Sequence, residues 1–160
     1  MIEILVAIVV ISLGLLGLAG LQALSLRNNQ VSHYRSIATQ QAYDMGDRIR
    51  ANLVGVQAGR YNNLSGTLAA LQATDPACVT TGCTPAQMAT TDFLQWRTVN
   101  NALLPNGGGT VCLDDPSTVP VDCLAAGSYN ADWPFVITVT WNEKTEAGNA
   151  TQSFVTRFRP

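Results

Sequence analysis

The feature that most constrains this chain is an uncharged apolar run near the N-terminus, from Ile4 to Leu21. Its 18 residues would cover ~27 Å as an α-helix, close to the ~30 Å hydrocarbon core of a bilayer. A helix satisfies its own backbone polar groups in lipid, so the run predicts a membrane-spanning helix. A cleaved signal peptide is the alternative, but it needs basic residues ahead of the run, and Glu3 stands there instead. We therefore expect the run to be kept as an anchor.

Beyond this run, apolar residues recur at steps of three and four, which is typical of one face of a helix. They are Val31, Tyr34, Ile37, Ala38, Ala42, Met45, Ile49, Leu53 and Val56. The opposite face is polar, and Pro76 is the first proline. We predict one helix from Ile2 to about Val56, stopped at Gly59.

This pattern divides the chain into three parts. Residues 1–25 are expected to form the membrane anchor, residues 26–58 the amphipathic continuation of the helix, and residues 59–160 an extracytoplasmic globular head.

The rest of the chain predicts an α+β fold. Residues 61–83 have a turn-rich composition and no clean period, which indicates a connector. A second helix is expected over 84–104, because Thr84, Pro85 and Gln87 form a capping-box pattern. Glycines 107–109 lack the Lys-Ser/Thr of a phosphate loop and predict a plain turn.

Strands are expected in the last third of the chain. Segments 110–113 and 121–124 flank a loop, and the alternating residues from Phe135 to Trp141 predict a half-buried strand. A polar turn over 142–150 would lead to a last strand ending near Phe158, and the two strands would form an antiparallel hairpin.

Four cysteines, all in the predicted head, indicate disulfides in an exported domain. Three connectivities are open, and we favour the local pairs Cys78–Cys83 and Cys112–Cys123. A zinc site is the alternative, but the cysteine spacings fit it poorly and no histidine lies nearby.

The chemistry expected of an enzyme or a metal centre is missing. His33 is the only histidine, so no Ser-His-Asp triad can be assembled, and we expect neither an enzyme nor a cofactor. Asp114, Asp115 and Asp122 could hold calcium, but they lack the spacing of a calcium loop. The five arginines between Arg27 and Arg60 form no concentrated patch, so no nucleic-acid binding is predicted.

Two features in and beside the apolar run have candidate functional roles. Glu3 places a carboxylate at the edge of the membrane, where it invites a positive partner or complements the helix dipole. Gly14, Gly17 and Gly20 follow at steps of three, where they could loosen the helix or let neighbouring helices approach.

The N-terminal sequence MIEILVAIVVISLGLLGLAGLQALSL resembles the first helix of type IV pilins. The pattern A-x-D-M-x-D-R-I-R-A-N, over Ala42–Asn52, is similar to the PilV-like minor pilins, known as type IV pilus modification proteins. A weaker similarity to them covers CTPAQMATTDFLQW, at 83–96. Major pilins carry a proline near the position of Gly20, so its absence favours a minor subunit or a helix that is loosened through glycines.

The resemblance implies that residues 1–25 also form the fibre core. It further implies that Glu3 neutralises the N-terminal amine of a neighbouring subunit. Met1 would stand third in a mature pilin, after a leader removed by prepilin peptidase and a methylated phenylalanine. Implied partners are other minor pilins, the major pilin and the inner-membrane assembly platform. The subunit would wait in the inner membrane with its head in the periplasm, then join a cell-surface pilus that serves adhesion or motility.

Two other functions stay open at this point. One is a minor pseudopilin of type II secretion, which would use the same helix in another machine. The other is a single-pass membrane protein whose head binds a ligand without polymerising.

Overall fold

The computed structural model describes residues 2–116, 123, 127–145 and 148–160. The elements are α1 (Ile2–Ala51), α2 (Leu53–Gln57), α3 (Leu68–Ala73), α4 (Cys78–Thr81), α5 (Pro85–Leu103), β1 (Gly108–Leu113), β2 (Phe135–Thr145) and β3 (Gly148–Phe158). A long apolar N-terminal helix followed by short helices and an antiparallel sheet confirms the predicted α+β class and is consistent with the pilin fold.

The chain forms two compact units, Met1–Arg35 and Ser36–Pro160. The first unit is helical, and its side chains from Ile2 to Gln30 are all exposed. The second contains the end of α1 and all the other elements. The boundaries after residues 25 and 58 divide the chain by role rather than by packing, and they stay predictions.

The first helix ends earlier than the apolar pattern predicted. α1 stops at Ala51, and Asn52 leaves helical geometry with φ of −123°. The Asn52 side chain accepts a hydrogen bond from the Gly55 backbone N–H at 3.1 Å and so begins α2. Because the helix is interrupted at Asn52, Leu53 no longer lies on the predicted apolar face, and its side chain is exposed.

Helix α2 ends just before Gly59, the residue that was predicted to stop the helix. Its φ of +66° is left-handed, and the backbone N–H of Arg60 donates to the Gly55 carbonyl at 2.9 Å. The N–H of Gly59 donates to Val56, which completes a Schellman motif. A side chain at Gly59 would also meet the backbone of Gly127 at 2.4 Å.

The predicted connector over 61–83 is more ordered than its composition indicated. It contains α3 and α4, and the Thr67 side chain caps α3 by accepting from the Ala70 N–H at 3.3 Å. Helices of six and four residues are too short to show a period in the sequence.

The capping-box prediction for α5 is confirmed. Thr84 accepts from the Gln87 N–H at 3.3 Å, and the Gln87 side chain accepts from the Thr84 N–H at 3.0 Å.

The sheet has three antiparallel strands in the order β1-β2-β3. The predicted hairpin is confirmed, but residues 142–145 and 148–150 belong to its strands rather than to a turn. Asn142 pairs with Thr151, and their side chains share a 3.1 Å hydrogen bond that supports pairing beyond the apolar part. Of the predicted strand 121–124, only Cys123 lies within the described residues, where it forms an isolated bridge to Asp114.

The core of the second unit lies on one face of the sheet. Phe135, Ile137, Val139 and Trp141 alternate along β2, and each is at most 2% exposed. Helices α1 and α5 supply further buried side chains, namely Ala38, Ala42, Met45, Ile49, Phe93 and Trp96. The Trp96 Nε1–H donates to the Gln41 carbonyl at 2.8 Å and joins the two helices.

Close contact with Trp96 explains one glycine of the run 107–109. A Cβ on Gly109 would lie 2.4 Å from the Trp96 ring and 2.6 Å from the Thr138 carbonyl oxygen. Gly46 on α1 differs, since its Cβ would meet the Phe158 ring at an ordinary 3.8 Å.

We predict that Gly109→Ala destabilises the second unit by roughly 3 kcal/mol, the upper end of the range for overpacking. Gly46→Ala, the matched control, should change the unfolding free energy by ~1 kcal/mol or less, because alanine favours helix. Denaturant unfolding of the full chain in detergent, followed by near-ultraviolet circular dichroism, measures both. Equal stability of the two variants would contradict the close contact.

Candidate functional site

The first part of α1 presents a continuous exposed apolar surface. Its side chains from Ile4 to Leu26 include Leu16, which is 70% exposed. By length and composition, α1 is the one helix in the described residues that could cross a membrane, and none of its apolar window is buried. Long contiguous apolar surfaces that are exposed mark contact with lipid or with other proteins.

Glu3 lies in the first turn of α1, and its side chain is exposed. An acid at this end of a helix complements the helix dipole. It directly precedes Ile4, so a carboxylate stands where the uncharged surface begins. The arrangement can pair with a cation of another chain at the membrane edge, and this role of Glu3 stays a prediction.

The glycines of the apolar run leave open space on α1. A Cβ at Gly14, Gly17 or Gly20 would have no neighbour within 4 Å, and α1 remains helical through all three. The Ser12 hydroxyl donates to the Ile8 carbonyl at 2.6 Å, so this hydroxyl is satisfied within the helix. Helix packing or loosening at these glycines stays a prediction.

Both disulfides in the structure are the local pairs favoured from the spacing. Cys78 bonds Cys83 with a Cα–Cα distance of 5.1 Å, and Cys112 bonds Cys123 at 5.4 Å. The first closes the turn that leads into α5, and the second ties Cys123 to β1. Each closed loop contributes ~2–3 kcal/mol on the chain-entropy model.

A polar network that the sequence did not reveal joins the end of α1 to α5. The Tyr61 hydroxyl donates to Asp92 at 2.5 Å, and Arg48 Nη1 lies 3.6 Å from the other Asp92 oxygen. Arg48 Nε also donates to Asp44 at 2.8 Å. Asn52 Nδ2 donates to the Tyr61 hydroxyl at 3.1 Å. The network therefore connects the end of α1 with the nearby Tyr61 and with α5, which is distant in the chain.

The electrostatics of this network favour a protonated tyrosine. Burial, followed by the hydrogen bond to Asp92, raises the pKa of the Tyr61 hydroxyl well above its usual value. The hydroxyl therefore acts as a fixed donor rather than as a titrating group, which suits a structural link better than acid-base chemistry.

The acidic residues considered for calcium are arranged differently from a metal site. Asp114 is buried and accepts a hydrogen bond from Arg157 Nε at 3.1 Å, while Asp115 is half-buried. Asp122 lies outside the described residues. The part of the chain that the structure describes contains no group of three or more His, Cys, Asp and Glu that could hold a metal. His33 is exposed on α1.

We predict that Asp92→Ala lowers the free energy of unfolding of the second unit by ~3 kcal/mol, because it leaves the Tyr61 hydroxyl buried without its acceptor. Asp47→Ala is the control, since Asp47 pairs with Arg50 at the surface and such pairs contribute ~0–1 kcal/mol. Urea unfolding of the full chain in detergent compares them. A loss at position 92 no larger than at 47 would show that the network contributes little.

Comparison with known proteins gives one family. A family model described as Tt1218-like, Type IV pilin Tt1218, matches residues 20–94, which are 75 of the 160 residues. This range includes the amphipathic part of α1, α2, α3, α4 and the first half of α5. No curated protein and no solved structure matches the chain. The family match and the fold together support a type IV pilin, a structural subunit of a pilus.

Proposed function

We propose that this chain is a PilV-like minor pilin, a non-enzymatic subunit that takes part in priming or capping a type IV pilus. The observation that carries the proposal is the exposed apolar surface of α1, which begins directly after Glu3. Burial of apolar surface contributes ~25 cal/mol per Å², so a surface of this kind is stable only against lipid or against other apolar helices. A pilin uses both environments in turn.

Glu3 gives the helix a means of docking in register. A carboxylate among apolar helices is unfavourable without a cation beside it, at ~2.5–3.5 kcal/mol at a helix centre on insertion scales. The N-terminal amine of a neighbouring subunit would supply that cation. The pairing would therefore favour one axial position of a subunit over others.

The minor role is supported by the segment that resembles PilV-like proteins. In its pattern A-x-D-M-x-D-R-I-R-A-N, the apolar residues Met45 and Ile49 are buried, and Asp44 and Arg48 belong to the polar network. The residues of this pattern therefore have a structural role, since their side chains pack in the core and link α1 to α5. Position 20 is glycine rather than the proline of major pilins, and α1 continues through it.

The proposed partners are other minor pilins, the major pilin and the inner-membrane assembly platform, and prepilin peptidase would act on a leader. The chain would first be an inner-membrane protein with a periplasmic head and would then enter a cell-surface pilus used for adhesion or motility. The exposed apolar helix fits a membrane-anchored pilin.

We predict that Glu3→Ala leaves the chain in the membrane but lowers its incorporation into filaments by roughly tenfold or more, equivalent to ~1.4 kcal/mol of subunit contact. The apolar surface that holds it in lipid is unchanged, while the charge pair is lost. Immunoblots of sheared filaments and of membranes measure both pools.

Asp47→Ala serves as the control, because Asp47 is an exposed acid on the same helix, outside the apolar run. It should enter filaments as the unmodified chain does. Equal incorporation of the Glu3 variant and this control would argue against charge pairing, and absence of the unmodified chain from filaments would exclude the pilin role.

A further inference from the structure

A cleft of about 460 Å³ lies beside Arg97, at the end of the sheet where β1 begins. Polar side chains surround it, with hydroxyls from Thr67, Thr110 and Thr140 and amides from Asn101 and Asn106. Among the residues that the structure describes, Arg97 is the only charged one that lines it. The volume falls within the ~300–1,000 Å³ usual for small-ligand sites.

Most of the hydrogen-bonding capacity of Arg97 is unused. A guanidinium has five N–H donors. In the described part of the chain, Arg97 makes one hydrogen bond, from Nη2 to the Gly66 carbonyl at 3.2 Å. Its Nε is buried without a partner. Three N–H groups therefore remain for a ligand.

Three other arginines have carboxylates close by. Arg48, Arg50 and Arg157 lie 2.8, 2.9 and 3.1 Å from aspartate oxygens. Among the described ranges, no carboxylate lies within ion-pair distance of Arg97. Burial lowers the pKa of the Arg97 guanidinium, since desolvation disfavours the charged form. An anion bound beside it would offset that cost.

The Gly108 backbone lies close beside this guanidinium. A Cβ on Gly108 would lie 2.8 Å from Arg97 Nη1 and 2.6 Å from the Thr140 hydroxyl oxygen. Any side chain at this position would therefore occupy the space between Arg97 and Thr140. The glycine keeps the charged and hydroxyl groups together at one wall of the cleft.

We propose that the Arg97 cleft binds a carboxylated sugar, such as a uronic acid unit of a surface polysaccharide. The planar guanidinium fork matches a carboxylate, and the threonine hydroxyls and asparagine amides can donate to and accept from sugar hydroxyls. A single cation suits a singly charged carboxylate better than a phosphate dianion. The site lies in the second unit, and Glu3 is not among the residues that line it.

Calorimetric titration of the full chain in detergent micelles tests the proposal. Galacturonate should bind at least tenfold more tightly than galactose, which has the same ring without the carboxylate. Galactose 6-phosphate should bind more weakly than galacturonate. Equal affinity for galacturonate and galactose, no binding of galacturonate, or tighter binding of the phosphate would each overturn the proposal.

Arg97→Gln should weaken galacturonate binding at least tenfold, and Arg97→Lys should weaken it less, because lysine keeps the charge but lacks the fork. Arg60→Gln is the matched control, since Arg60 lines a separate cleft, and it should bind normally. Circular dichroism reports folding of each variant. A folded Arg97→Gln chain with unchanged affinity would overturn the site.

Asn101→Ala and Thr140→Val provide a second test that leaves the charge in place. Each should weaken galacturonate binding severalfold because a partner for the sugar hydroxyls is lost. Unchanged affinity in both variants would contradict a sugar in this cleft.

Discussion

The structure depends on one helix that serves two environments. Residues 2–30 of α1 expose apolar side chains that are stable only in lipid or against similar helices, while Ala38, Ala42, Met45 and Ile49 contribute to the core of the second unit. The change from one environment to the other occurs within a single element, without a proline before Pro76. The apolar part of α1 is therefore joined to the second unit by continuous helix.

Polar contacts complement the apolar packing at the end of α1. Arg48 contacts Asp44 on its own helix and Asp92 on α5, while Asn52 begins α2 and contacts Tyr61 and the Pro85 carbonyl. Removal of Asp92 would leave the Tyr61 hydroxyl buried without its acceptor, and satisfied networks of this kind help to specify one arrangement of helices. Asn52 follows the end of α1 at Ala51, so the contacts of its side chain link this helix end to the start of α5.

The glycines after α5 were predicted to form a plain turn, but they have a different role in the structure. Gly109 allows the sheet to approach Trp96, and Gly108 lies beside Arg97 and Thr140. Both glycines belong to β1 rather than to a plain turn. Close packing of the strand against α5 and the polar cleft next to it therefore have the same cause, the absence of side chains at adjacent positions.

The sequence by itself determined the features that depend on neighbours in the chain: the apolar run of α1, the capping box of α5, and the alternation of the β2–β3 hairpin. Spacing also favoured the two local disulfides, because each closes a short loop. Only the tertiary structure decided the end of α1, the burial of Asp92 and the cleft at Arg97. These arise from contacts between distant residues, such as Arg48 with Asp92 and Trp96 with Gly109. Local periodicity carries no signal for such contacts, since they exist only once the helices and the sheet have packed.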